Sequence, residues 1–322
     1  MQIMQFEPGG APVVIDSTDI SLDAGDFVWA DIERSEFDGH ENALSWLGIR
    51  LHDQHVRDTL NDTHPPYYDG TDDYDLLIVR ALCPGSPPEE PSTRPIAIVV
   101  TTGAVVSIRP PEDPVFVKFH QRLLNTQRKA TTPTSSTMLL YLLLEQIVDG
   151  LLARRDITSE VLSRWQERLL DGTDQFDDWR ALMNLRGRLR RLEVVTEGQL
   201  DAVDDWRELS SLVLDNALAV RFNDLQEHLR RVYNHTIVMQ HDIDAVVQIY
   251  FSSNAQRTNE TLQFLAVISA IFLPLNLLAG LFGMNFTNLP LLQSWYGPWV
   301  VVGVGLLMVT GLLYWFRRKR WV

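Results

Sequence analysis

A single cysteine, Cys83, excludes any disulfide within the 322-residue chain and suits a reducing compartment, where it serves as a small apolar residue. There is no G-x-x-x-x-G-K-[ST] phosphate loop, no H-E-x-x-H and no paired C-x-x-C, so nucleotide-driven pumping and zinc hydrolysis have no visible machinery. From Thr261 to Phe316 the chain lacks Asp, Glu, Lys, Arg and His, and from Asp201 to Leu273 it lacks both proline and glycine. The 45% hydrophobic share conceals these gaps by averaging two unlike segments. All 42 acidic residues precede Thr261, with 24 of the 28 basic ones, which leaves −18 there; the other four, Arg317, Arg318, Lys319 and Arg320, close the chain.

What the uncharged stretch contains is apolar. Leu262 to Phe282 supplies about 21 residues, enough at 1.5 Å per residue to cross a hydrocarbon core of roughly 30 Å, and a second run covers about 296–316. Both lie near the C-terminal end, so neither has the place of a signal peptide. The connection holds Asn285, Asn288, Pro290, Gln293 and Gly297 and is too short for a domain, so a transmembrane hairpin is expected. Arg257 before the first span and the basic tail after the second, with no basic residue between, put both termini in the cytoplasm of a multi-pass protein of the cell (inner) membrane. Trp295, Tyr296 and Trp299 at one boundary, and Tyr314, Trp315 and Trp321 at the other, fit interfacial belts.

The preceding segment divides on periodicity. Residues 1–130 read as a cytoplasmic α/β domain, with β-type runs at Asp26–Ile32, Asp75–Leu82, Ile96–Thr102 and Ala104–Pro110, and a hairpin turn through Gly103. Helices are expected at His40–Leu47, His52–Leu60 and Val115–Gln127, and a proline-rich loop at Cys83–Pro95. Residues 131–260 read as a helical bundle and stalk, with an N-cap in Pro133–Ser136 and helices at Thr137–Leu170, Phe176–Thr196 and from Val203 into the bilayer, broken near Asp171–Thr173 and at Gly198. The unbroken run from Asp201 to Leu273 predicts one rod on the order of 100 Å long. Residues 261–322 are the transmembrane hairpin and tail. The stalk's apolar positions, Val220, Leu225, Leu229, Val232, Ile237, Ile243, Val246, Ile249 and Phe251, require a bundle or an oligomer to cover them.

At 100° per residue, Leu262, Leu265, Ala266, Ser269, Leu273, Asn276, Gly280 and Met284 share one stripe of the first span, with Asn259 at its edge. Asn276 is the odd member, since an amide deep in hydrocarbon needs a partner or water. Interhelical hydrogen bonding and a water-lined surface both satisfy it. Pro274 frees a carbonyl, and Gly283 ends the helix with Met284 and Asn285 at its mouth. Two spans enclose no pathway, so conduction requires several chains; a ring of Asn285 amide oxygens then suits a hydrated dication such as Mg²⁺, which dehydrates reluctantly.

GMNF after IFLPLNLLAGLF, a second span ending YWFRRKRWV and an uninterrupted helix entering the first span resemble the CorA family of divalent-cation transporters, most closely over Asn254–Val322. The N-terminal part is similar in layout and in fragments such as WADIERSE and YDGTDDYDLLIVRAL. The resemblance implies a funnel-shaped homopentamer, an α+β membrane protein that is not an enzyme. In it Gly283, Met284 and Asn285 form the outer selectivity motif and Asn259, Leu265, Leu273 and Asn276 line the pore, to which the stripe adds Ser269 and Gly280. Its partners are other copies of itself, the bilayer and divalent cations, with no nucleic acid. Mg²⁺, Co²⁺, Ni²⁺ or Zn²⁺ is substrate and regulator, with no other cofactor. Leu289-Pro290-Leu291-Leu292 stands where the magnesium branch often has Met-Pro-Glu-Leu, which leaves the zinc-transporting ZntB branch open, while the intact Met284 favours magnesium, cobalt and nickel. The competing reading from another class is a non-conducting, membrane-anchored oligomeric sensor or scaffold. Asp69–Asp75 with Asp53, Asp58 and Asp62 reads first as a soluble loop, and Asp224, Glu227, His228, His235, His241, Asp242 and Asp244 first as a solvated stalk face. The resemblance adds weak regulatory dication sites on the acidic cytoplasmic surface at residues it does not fix.

Overall fold

The computed structural model describes residues 1–7, 10–15, 17–18, 22–23, 25–83, 85–87, 91–111, 113–125, 132–170, 179–284 and 295–319. They form two compact units, Met1–Ala245 and Val246–Val322.

The first unit is built on a seven-stranded sheet of β1 (Gln2–Phe6), β2 (Val13–Ile15), β3 (Phe27–Glu33), β4 (Tyr67–Gly70), β5 (Asp75–Leu82), β6 (Thr93–Val100) and β7 (Ala104–Arg109), in the order β2-β1-β3-β7-β6-β5-β4. All neighbouring pairs are antiparallel except β3 and β7. The β6–β7 hairpin turns at Gly103, as TTGAV predicts. Successive residues of the central strands feed opposite faces. Ile96, Ile98 and Val100 join a core with Trp29, Leu77 and Val79, whereas Ala97 and Val99 join one with Ala30, Leu76 and Ile78. Both faces are covered, which is why DLLIVRAL reads as a continuous apolar run rather than an alternating one.

Helix α1 (Asp53–Leu60) covers the second face through Val56, together with Leu44 and Leu51. The first face takes α2 (Pro114–Asn125), α3 (Ser136–Leu170), α4 (Trp179–Leu209) and the start of α5 (Asn216–Gly283). Ser135 caps α3 by accepting from the Met138 amide at 3.1 Å. The expected helix at His40–Leu47 is instead a set of turns with a 3-10 segment, Ser45–Leu47, whose Gly48 has a left-handed φ of 73°.

Two expectations about the helices fail together. Gly198 does not break α4 but lies within it against the Pro66 ring, and the long rod does not begin at Val203. The chain breaks at 210–215, where neither proline nor glycine occurs. Side chains make that break. The Ser210 hydroxyl accepts from the Leu212 amide at 3.1 Å, and Asp215 caps α5 by accepting from the Leu218 amide at 2.6 Å. Of the apolar stalk positions, Leu225, Leu229, Val232, Ile243 and Val246 are buried, while Val220, Ile249 and Phe251 are exposed.

A polar knot lies inside the first unit. Asp31, on β3, accepts from Ser107 Oγ at 2.7 Å, Arg109 Nε at 2.9 Å and His120 Nε2 at 3.0 Å. The His120 ring stacks on Trp29 at 4.1 Å, and Trp29 Nε1 donates to Ser107 at 3.0 Å. This knot ties α2 to β3 and β7.

His235 of α5 lines a groove with Arg155, Asp156 and Glu160 of α3. Burial, then the Arg155 cation, push its pKa below the usual 6.5, although Asp156 and Asp242 act the other way. The unfolded chain therefore takes up this proton first as pH falls, so stability drops below about pH 6.5, and the loss is complete below the depressed folded pKa. His235→Gln is expected to flatten the melting temperature between about pH 5 and 7. A profile identical to wild type would show that His235 is not the group responsible.

Candidate conduction surface

In the second unit α5 continues to Gly283, where the glycine predicts its end, and α6 (Gly297–Arg318) returns. The helix carries Pro274 in its interior without interruption. Among the described residues three helices are long and apolar enough to cross a membrane, but 61% of the apolar window of α3 is buried inside the first unit, against 6% for α5 and 11% for α6. The α3 window is therefore core, and the other two require an apolar solvent.

The covered side of α5 in this unit runs through Val267, Ile271, Pro274, Leu275, Leu278 and Phe282, with Val267 only 4% exposed. At Leu275 the approach of α6 is close: a Cβ on Gly305 would stand 3.3 Å from Leu275 Cδ2. The GVGLL segment thus packs on the first span. On a helical projection the covered side is centred about 170° from the stripe of small and polar residues. Asn259, Leu265, Ser269, Leu273, Asn276, Gly280, Gly283 and Met284 are all exposed, Leu273 at 72%. Among the described residues the Asn276 amide has no hydrogen-bond partner. Residues 285–294, Asn285 among them, lie outside the described residues.

The hairpin therefore satisfies one side of its first helix internally and leaves the other, bearing a carboxamide, open. A lipid-facing amide in hydrocarbon costs several kcal/mol, so this side is adapted to water or to another protein surface.

A model of the family described as CorA-like Mg²⁺ transporter protein matches residues 24–318. The chain belongs to the CorA family. The cobalt/magnesium transport protein CorA of Thermotoga maritima is 24% identical over 84% of this chain and 77% of its own length. The putative metal ion transporter YfjQ of Bacillus subtilis is 25% identical over 92% and 91%. The complete structure of the CorA magnesium transporter from Methanocaldococcus jannaschii aligns with a TM-score of 0.83 at 17% identity, covering 100% of this chain and 99% of that one. The cytoplasmic domain of ZntB from Vibrio parahaemolyticus aligns at 0.59 and 15% identity, covering 80% and 98%. The chain is thus a membrane protein and a divalent-cation transporter of the CorA family, not an enzyme, with the fold of full-length CorA: a soluble α/β domain, a long helix and C-terminal helices.

Several of the soluble acidic candidates are engaged with neighbours. Asp69 accepts from His55 Nε2 at 2.9 Å, Asp224 lies 3.8 Å from His228, and Asp244 pairs with Arg186 at 2.9 Å. Among the described residues no group of three or more His, Cys, Asp or Glu side chains is arranged to hold a metal ion. What residue spacing alone did not reveal is the Asp75 cluster, since its partners Trp206 and Ser210 are more than 130 positions away.

Proposed function

We propose that the protein passes hydrated Mg²⁺, and Co²⁺ and Ni²⁺ with it, through a pore formed at the centre of a homopentamer by the first membrane helix, with Gly283, Met284 and Asn285 selecting at the outer mouth. The observation that carries this reading is the position of the small and polar stripe, opposite the side that α6 covers. A mere anchor gains nothing from an uncovered Asn276, whereas a ring of chains places Asn259, Ser269 and Asn276 against water and Leu265 and Leu273 at constrictions. The intact GMN triplet and the cobalt/magnesium relatives support Mg²⁺ over Zn²⁺. Both termini lie in the cytoplasm of the inner membrane. Five cytoplasmic parts, each carrying an excess of acid, repel one another, and cytoplasmic dications screen them and favour closure.

Uptake of Mg²⁺, Co²⁺, Ni²⁺ and Zn²⁺ into proteoliposomes tests the cargo. Mass measurement of the detergent-solubilised protein tests the assembly, and a monomer or dimer that still transports would sink the pore. Gly305→Leu is expected to push α6 off Leu275 and to lower both the yield of assembled protein and the uptake, whereas Gly303→Leu, where a Cβ meets nothing within 4 Å, is expected to be tolerated. Equal yields of the two variants would show that the close contact at Gly305 does not hold the hairpin.

A further inference from the structure

Asp75, the first residue of β5, is 4% exposed and accepts three hydrogen bonds, all from neutral donors. Tyr68 Oη donates to Oδ1 at 3.1 Å, while Trp206 Nε1, at 3.1 Å, and Ser210 Oγ donate to Oδ2. Trp206 is in the last turn of α4, and Ser210 is the first residue after it. One sheet carboxylate therefore grips both sides of the point where α4 stops. The Trp206 ring also lies 4.9 Å from that of Phe222, in the second turn of α5, so the same contact orients the start of the long helix.

Apolar cover at this joint is partial. Leu212 and Leu214 pack on the first core, but Leu209 is 70% exposed and Val213 85%. Polar contacts therefore share the hold on residues 210–215, and the loss of a buried hydrogen bond makes such a segment easier to open. Electrostatics work against the grip. Among the described residues no cation pairs with Asp75, and Asp69, Asp72 and Asp205 line the same opening, so like charges disfavour the gripped arrangement. The strand opposite makes room for it: Gly70 is the register partner of Asp75, and a Cβ there would fall 2.5 Å from Tyr68 Oη and 3.2 Å from Asp75 Oδ1.

We propose that Asp75 is a positioning residue for transport: its bonds to Trp206 and Ser210 hold the α4–α5 joint in one arrangement, and their release resets how strongly cytoplasmic dications restrain cation passage. This rests on the transport function above.

Three variants of the full-length protein in proteoliposomes test it. Asp75→Asn turns an amide donor toward at least one existing donor, and Trp206→Phe deletes one donor while keeping a ring on Phe222. Gly70→Ala leaves every hydrogen-bonding group in place and crowds Tyr68 away. Hydrogen–deuterium exchange of the 210–218 amides is expected to rise about tenfold in each. The internal Mg²⁺ concentration that halves initial uptake is expected to move at least about threefold, in the same direction in all three, an effect that a purely structural role would not produce. Unchanged exchange in Asp75→Asn and Gly70→Ala overturns the proposal, and so does faster exchange with a midpoint within about twofold of wild type. A wild type without uptake defeats the transport reading and this proposal's transport half, while the exchange measurement still decides whether Asp75 holds the joint.

Discussion

Initial Mg²⁺ uptake by Asn285→Ala is expected to fall at least about tenfold at equal membrane expression and with an unchanged oligomer, because in the proposed pore the variant deletes the ring of carboxamide oxygens at the outer mouth. The argument rests on the GMN triplet and on the end of α5 at Gly283, after which Met284 is exposed and Asn285 follows in the chain. Asn285→Asp is expected to be comparably slow for the opposite reason. In the proposed pentamer it adds about five charges to one small ring, and a dication held that tightly leaves slowly. Asn276→Ala separates two roles for the mid-membrane amide: a mild loss means that it only helps to water the pore, and a loss equal to that of Asn285→Ala means a second binding ring. Wild-type uptake by Asn285→Ala would reduce the triplet to a helix terminator and restore the anchor reading.

The largest effect on stability is expected at Asp31. Its carboxylate is buried with the Arg109 guanidinium and accepts from Ser107 and His120 as well, so Asp31→Ala leaves the buried cation with only the half-buried Glu33, 3.2 Å away, as counter-charge and costs about 3 kcal/mol. Pairing the change with Arg109→Met removes the poorly compensated charge, and the double variant is expected to be more stable than Asp31→Ala alone. Thermal unfolding of the solubilised protein provides the comparison. Additive losses in the double variant would mean that the two groups are not coupled as their 2.9 Å contact implies.

Much of the architecture was legible because periodicity reports local burial. Asp75–Leu82 and the neighbouring central strands stand out as apolar runs since both their faces are covered. β1, β2 and β4 did not stand out: five, three and four residues are too short to establish a period, and their pairing partners define them. The break at 210–215 was hidden for a related reason. Breaker residues were sought, but the chain turns by hydrogen bonds from Ser210 and Asp215, and one of those groups acts through a strand more than 130 positions away.

The membrane segment shows where the two kinds of information divide. Its spans, their ends and the stripe of small and polar residues follow from residue order, since helical geometry alone assigns each position to a side. Which side faces inward within the chain was not set in that way. Packing decided it, at Gly305 against Leu275, by covering the aliphatic side and leaving Asn276 open. In the soluble unit the division is similar. Composition marked Asp31 and Asp75 as ordinary acids, and only tertiary contact made one the centre of a buried charged knot and the other the clasp of a joint, because the worth of a carboxylate depends on which donors the fold brings to it.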